Sequence, residues 1–107
     1  MAYRIKLSER AYADIDSIVA YIGAHAPQHA SRWQSRLLEK IVALDLTPRG
    51  CARAPEDHFT PFELRQALFG RYRILFTIED SANVVQVLTV RHSARRQMSA
   101  EELSEIE

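Results

Sequence analysis

Cysteine is nearly missing from this chain: Cys51 stands alone among 107 residues. That excludes an internal disulfide and a cysteine metal cluster, and it fits a reducing compartment. No run approaches the roughly 18 apolar residues that span a bilayer. Met1 to Lys6 alternates polar and apolar residues without a signal-peptide core, so the chain reads as cytoplasmic, with no membrane partner. Lysine is scarce too. Only Lys6 and Lys40 occur, and the other twelve of the fourteen basic residues are arginine, the side chain suited to planar, bidentate contact with phosphate or carboxylate. Internal repeats, low-complexity segments and linkers are absent, and the length suits one domain, residues 1–107.

Net charge is also absent, fourteen bases against fourteen acids, but the distribution is uneven. Residues 101–107 hold four acids and no base, leaving fourteen bases against ten acids in residues 1–100. Between positions 64 and 100, Arg65, Arg71, Arg73, Arg91, Arg95 and Arg96 are opposed only by Glu79 and Asp80. The local field, not the net charge, carries the signal.

Tyr3, Ile5 and Leu7 alternate with Arg4 and Lys6, which predicts a strand over residues 2–7. Ser8 can cap a helix that Glu9 favours, and Ala11, Ile15, Ile18, Val19 and Ile22 recur at helical spacing to about His25. Pro27 suits the first turn of a second helix, placing Ala30, Trp33, Leu37, Leu38, Ile41, Leu44 and Leu46 on one face until Pro48-Arg-Gly50 stops it. The short connection implies an antiparallel helix hairpin. Residues 49–61 show neither period and read as a surface loop. Phe62 to Leu68 then reads as a strand, Phe69-Gly70 as its turn, and Arg71 to Glu79 with Val84 to His92 as a hairpin around Asp80-Ser-Ala-Asn83. Ser99-Ala-Glu-Glu102 fits a capping box for a short terminal helix in the acidic tail. The order β-α-α-β-β-β, with Tyr72, Ile74, Phe76 and Ile78 offering an apolar face, predicts a two-layer α+β domain with a helix hairpin on a mainly antiparallel sheet.

Strands in an antiparallel pair begin and end side by side, so Arg71 and Arg73 should lie near Arg91, His92 and Arg95. Such a cluster suits a polyanion, an acidic partner segment or a phosphodiester undergoing cleavage. Arg65 and Arg73 either bind such a partner or pair across strands with Glu63 or Glu79. Trp33 is either a partner anchor or packing against Tyr12 or Tyr21. His92 is either an acid–base group or a strand-end histidine bonded to backbone. Glu56, Asp57 and His58 read as solvent-facing, Arg96 as solvated, and Pro27 separates His25 from His29, so no metal site is expected. The acidic tail either folds back on the arginine cluster or simply keeps the protein in solution.

That element order, the Leu64-Arg65 strand, Gly70-Arg-Tyr-Arg-Ile-Leu-Phe76 and Val90-Arg-His-Ser-Ala-Arg95 together resemble the RelE/ParE toxin superfamily over nearly the whole chain. The resemblance implies a growth-arresting toxin of a bacterial type II toxin-antitoxin pair, without a cofactor, bound by an antitoxin acidic along its contacting segment. Target or antitoxin contacts would fall on Arg65, Arg71, Arg73, Arg91, Arg95 and Trp33. In the RelE-like branch, which cleaves messenger RNA on the ribosome, an arginine of the Gly-Tyr-Arg strand supports the phosphate, and Arg73 matches it. The next arginine of that branch falls near Ser93, its tyrosine near Ser99, and no tyrosine follows Tyr72. A nuclease would then rely on Arg73, Arg91 and His92. The Val-Arg-His-Ser-Ala-Arg phrase looks more like the ParE-like, plasmid-stabilising side, which acts on DNA gyrase. A third possibility is an RNA- or protein-binding module on the same fold.

Overall fold

The computed structural model describes residues 2–106. Its elements are β1 (Arg4–Leu7), α1 (Glu9–His25), α2 (Pro27–Val42), β2 (Leu64–Phe69), β3 (Tyr72–Glu79), β4 (Val84–His92) and α3 (Ala100–Ser104). The expected order is present, and α3 is the capping-box helix, with the Ser99 side chain and Glu102 satisfying each other's backbone N–H groups. Strands follow the order β1-β4-β3-β2, with β1 parallel to β4 and the other neighbours antiparallel.

Ser8 joins the two layers. Its hydroxyl accepts the Ala11 N–H at 3.0 Å, capping α1, and donates to the Leu88 carbonyl at 2.7 Å. The helix therefore starts from a fixed point on β4. Ala26 alone separates α1 from α2, and Pro27 opens α2.

One sheet face meets the hairpin as expected. Ile74, Phe76, Val85, Val87 and Val90 pack on Ala11, Ile15, Leu37 and Ile41, with Tyr72 and Ile78 at the margin. A bulge lets β4 achieve this: Leu75 pairs with Thr89 but Phe76 with Val87, so Leu88 is extra and the inward set shifts from Val85 and Val87 to Val90. Leu38 and Leu46 are 42% and 71% exposed and lie off the buried stripe. Each is one position past an inward residue or past the end of α2, so the predicted helix face was too broad.

The opposite face is buried as well, by irregular chain. Leu64, Leu75 and Leu88 are covered by Ala54, Met98 and Leu103, with Phe59 and Ile106 packed beside them. Residues 49–61 run over the surface as expected, but they turn Ala54 and Glu56 inward. They form 3₁₀ turns at Pro48–Gly50 and Pro55–Phe59, and they extend the sheet edge through an Arg53–Arg65 bridge and bonds from Ala54 N–H to Leu64 and Gln66 N–H to Ala52. Here Pro55 opens a turn that roofs a core.

Candidate functional site

The second face contains the first surprise. Glu56, expected in solvent, is fully buried and bridges Arg73 at 3.0 and 2.9 Å through both carboxylate oxygens. Burial raises its pKa, but Arg73 and the Met98 N–H, 3.1 Å away, outweigh that and hold the carboxyl below its usual range. Asp57 accepts the Leu64 N–H and pairs with Arg53, and His58 bonds the Pro55 carbonyl. No member of that triplet is spare. Arg73 adds a bond to Gln66, so its partner is neither Glu63 nor Glu79.

Arg65 follows its local reading, donating to Glu63 at 2.6 Å and to the Cys51 carbonyl. Arg91 faces Arg73 across the sheet and is 2% exposed, its Nη2 donating to the Arg96 carbonyl. Tyr72 and His92, the adjacent register pair, project to the helix side by strand alternation. The five groups at the hairpin ends are thus close in register but split between two faces. Arg73 and His92 do not share a site.

His92 packs edge-on against Tyr72, with ring centroids 5.3 Å apart, and its Nδ1 accepts the Ala94 N–H at 3.0 Å. That bond leaves the proton of the neutral ring on Nε2. It is the backbone-bonded strand-end histidine of the simpler reading. The tail likewise serves structure: Glu102 pairs with Arg96 at 2.7 Å, and Leu103 is buried. It covers the second face and leaves Arg71 and Arg95 exposed.

On the helix side, a groove of about 1130 Å³ opens between the hairpin and the end of the sheet. Its floor is apolar and aromatic: Ile18 and Ile22 from α1, Trp33 from α2, then Phe69 and Tyr72. Trp33 stands edge-on to Tyr72 at 5.2 Å and to Phe69 at 5.9 Å. Its packing partners are these, not Tyr12 or Tyr21, which are 59% and 70% exposed. Arg32 and Arg36 rim one side of the groove, Arg71 and Arg95 the other.

Those four arginines form no ion pair and no side-chain hydrogen bond among the described residues. By contrast, Arg10, Arg49, Arg53, Arg65, Arg73 and Arg96 each hold a carboxylate. The single acid lining the groove, Asp14, is engaged by Arg10, the Thr89 hydroxyl and the Val90 N–H. It satisfies the β4 edge where β1 has ended. The result is an apolar trough with uncompensated positive rims, suited to an amphipathic segment bearing carboxylates.

Arg32 and Arg36 were missed in sequence, although a signal exists. His29, Arg32, Trp33 and Arg36 follow the i, i+3, i+4, i+7 spacing of one helix face. No group of three metal-ligating side chains occurs among the described residues, and no helix among them is long and apolar enough to cross a membrane.

This architecture is a two-layer α+β domain, a helix hairpin packed on a mixed four-stranded sheet. The chain resembles the chromosomal ParDE toxin-antitoxin system from P. aeruginosa, with TM-score 0.71, 18% identity, and coverage of 85% of this chain and 96% of that one. It also resembles the toxin-antitoxin complex RelBE2 from Mycobacterium tuberculosis (0.65, 21%, 89% and 95%). A third similar structure is the archaeal RelE-RelB complex from Pyrococcus horikoshii OT3 (0.59, 21%, 90% and 100%). No curated protein matches in sequence. The profile of the ParE toxin of type II toxin-antitoxin systems matches residues 5–97, and the chain belongs to that family.

Proposed function

We propose that this toxin arrests growth by docking on DNA gyrase as a binding protein, and that its antitoxin neutralises it by laying an acidic, amphipathic segment in the groove. The contrast among the arginines carries this reading: those around the groove are free, whereas Arg73 is spent on Glu56. RNA cleavage needs a cation on the phosphate together with an acid and a base. Arg73 is sequestered, and His92, bonded through Nδ1, belongs to the opposite face. Known ParDE and RelBE assemblies support a protein antitoxin as partner.

The Arg73–Arg91 register pair favours one second reading, a ribosome-dependent nuclease whose phosphate site opens when Glu56 leaves Arg73. One experiment separates the two: gyrase supercoiling assays and mapping of messenger RNA 5′ ends on the same purified material. Blocked supercoiling with intact messenger, reversed by the antitoxin, is expected. Codon-positioned cuts with normal supercoiling would replace the gyrase reading with the nuclease one.

A further inference from the structure

Arg91 is the buried side chain whose polar atoms are left over among the described residues: Nε and Nη1 have no hydrogen-bond partner there. Its Nη2 is used by the Arg96 carbonyl at 2.8 Å. The nearby carboxylates are committed elsewhere, Glu56 to Arg73 and the Met98 N–H, and Glu102 to Arg96 and the Ser99 N–H. Arg73 faces it in register, and Arg95 follows four positions on without a partner of its own. Burial, then Arg95 and Arg73, lower the Arg91 pKa, and Glu102 and Glu56 offset this only in part. A buried guanidinium without a counter-charge is unfavourable, and folded proteins resolve one by pairing it with an acid or an ion.

The turn that follows this group lies at the surface. Residues 93–97 are all exposed and Met98 is buried again. The Arg91 Nη2 bond and the Ser93 N–H bond to the Arg71 carbonyl, 2.7 Å, tether the turn. Water could meet the two free nitrogens, but it carries no charge to balance Arg91 and Arg95. An oxyanion does both.

We propose that Arg91 and Arg95 form a binding site for an oxyanion of the phosphate class beneath the turn at residues 93–97. The ligand is either free phosphate or the phosphate of a diester. Arg91 and Arg95 also line the groove, so a carboxylate-bearing segment seated there would compete with the oxyanion; the site does not rest on the gyrase reading.

The test titrates the purified full chain with sodium phosphate at constant ionic strength, chloride making up the difference, while arginine Nε–Hε resonances and Tm are followed. A saturable shift of the Arg91 resonance is expected, with a Tm rise of about 10 °C at roughly 100 times Kd. Arg95→Ala, at an exposed position, should weaken phosphate binding by up to about fivefold, the scale of one exposed charge. Arg91→Met should abolish the phosphate response and melt no lower than the unsubstituted chain in chloride, because it removes an unpaired buried charge. A second arm with dimethyl phosphate separates the sources: an equal response assigns the site to a diester, a response to inorganic phosphate alone to the free ion. A shift that does not saturate, one that survives Arg91→Met, or one unchanged by Arg95→Ala overturns the site.

Discussion

Arg73 and Glu56, seventeen positions apart, form a two-point ion pair that joins the sheet to the 3₁₀ turn above it. Glu56 Oε2 also accepts the Met98 N–H, so one carboxylate ties strand, turn and C-terminal segment together. Removing one partner leaves the other charge buried. Glu56→Ala and Arg73→Ala are each expected to destabilise the fold by about 3–5 kcal/mol. The Glu56→Leu/Arg73→Met double variant should recover most of that loss. Urea unfolding of all three checks this, and a loss in the double variant equal to the sum of the two single losses would show that the pair does not couple.

Acid should release the same clasp. The folded-state pKa of Glu56 lies below its ordinary value of 4.5, so its contribution is complete above that pH and is lost as pH falls through the folded value. Glu102, held at about 2 by the Ser99 N–H and then by Arg96, follows the same sign. Tm should be flat from neutrality to about pH 5 and decline from about pH 4.5 toward pH 2. Glu56→Gln should lower Tm at neutral pH and flatten the decline. Parallel curves for the two proteins would remove Glu56 from the explanation.

The groove arginines should behave in the opposite way. Arg32→Ala, Arg36→Ala, Arg71→Ala and Arg95→Ala are expected to change stability by no more than about 0.5 kcal/mol. The paired variants Arg32→Ala/Arg36→Ala and Arg71→Ala/Arg95→Ala should weaken antitoxin binding about tenfold or more, and less so at high salt. Calorimetry with the cognate antitoxin at two ionic strengths reads both effects. Unchanged Kd for both pairs would place the antitoxin elsewhere.

Ser8 carries two bonds in a site only 4% exposed. Ser8→Ala removes a helix cap and leaves the Leu88 carbonyl short of a donor, so a loss of about 2 kcal/mol is expected. Ser8→Asp offers a cap acceptor but buries a carboxylate against the Leu88 carbonyl oxygen, and should be no more stable than Ser8→Ala. Thermal unfolding distinguishes the three proteins.

Much of the fold was legible because its signals are local. Tyr72, Ile74, Phe76 and Ile78 alternate, Ser8 and Pro27 mark helix starts, and Gly70 and Asn83 mark tight turns where φ is positive. The second face was not legible. Its contacts join Glu56 to Arg73 and Met98, residues far apart in sequence and individually typical of a polar surface. The bulge at Leu88 hides in an unbroken apolar run that reads equally well in either phase. For the site, proximity at the hairpin ends was foreseen, but alternation sends Arg73 and His92 to opposite faces, and that followed from the pattern already in hand. Arg65 could not be assigned in advance, since Glu63 lies beside it in sequence while its other partner, the Cys51 carbonyl, does not.

The clasp from Glu56 to Met98 also divides the molecule into two separable halves. The helix-side core uses no residue past Val90, whereas the opposite face depends on Met98 and Leu103. The C-terminal segment is thus a cover and not a member of the helix-side core: its removal would uncover Leu64, Leu75 and Arg73 while leaving the contacts between hairpin and sheet in place.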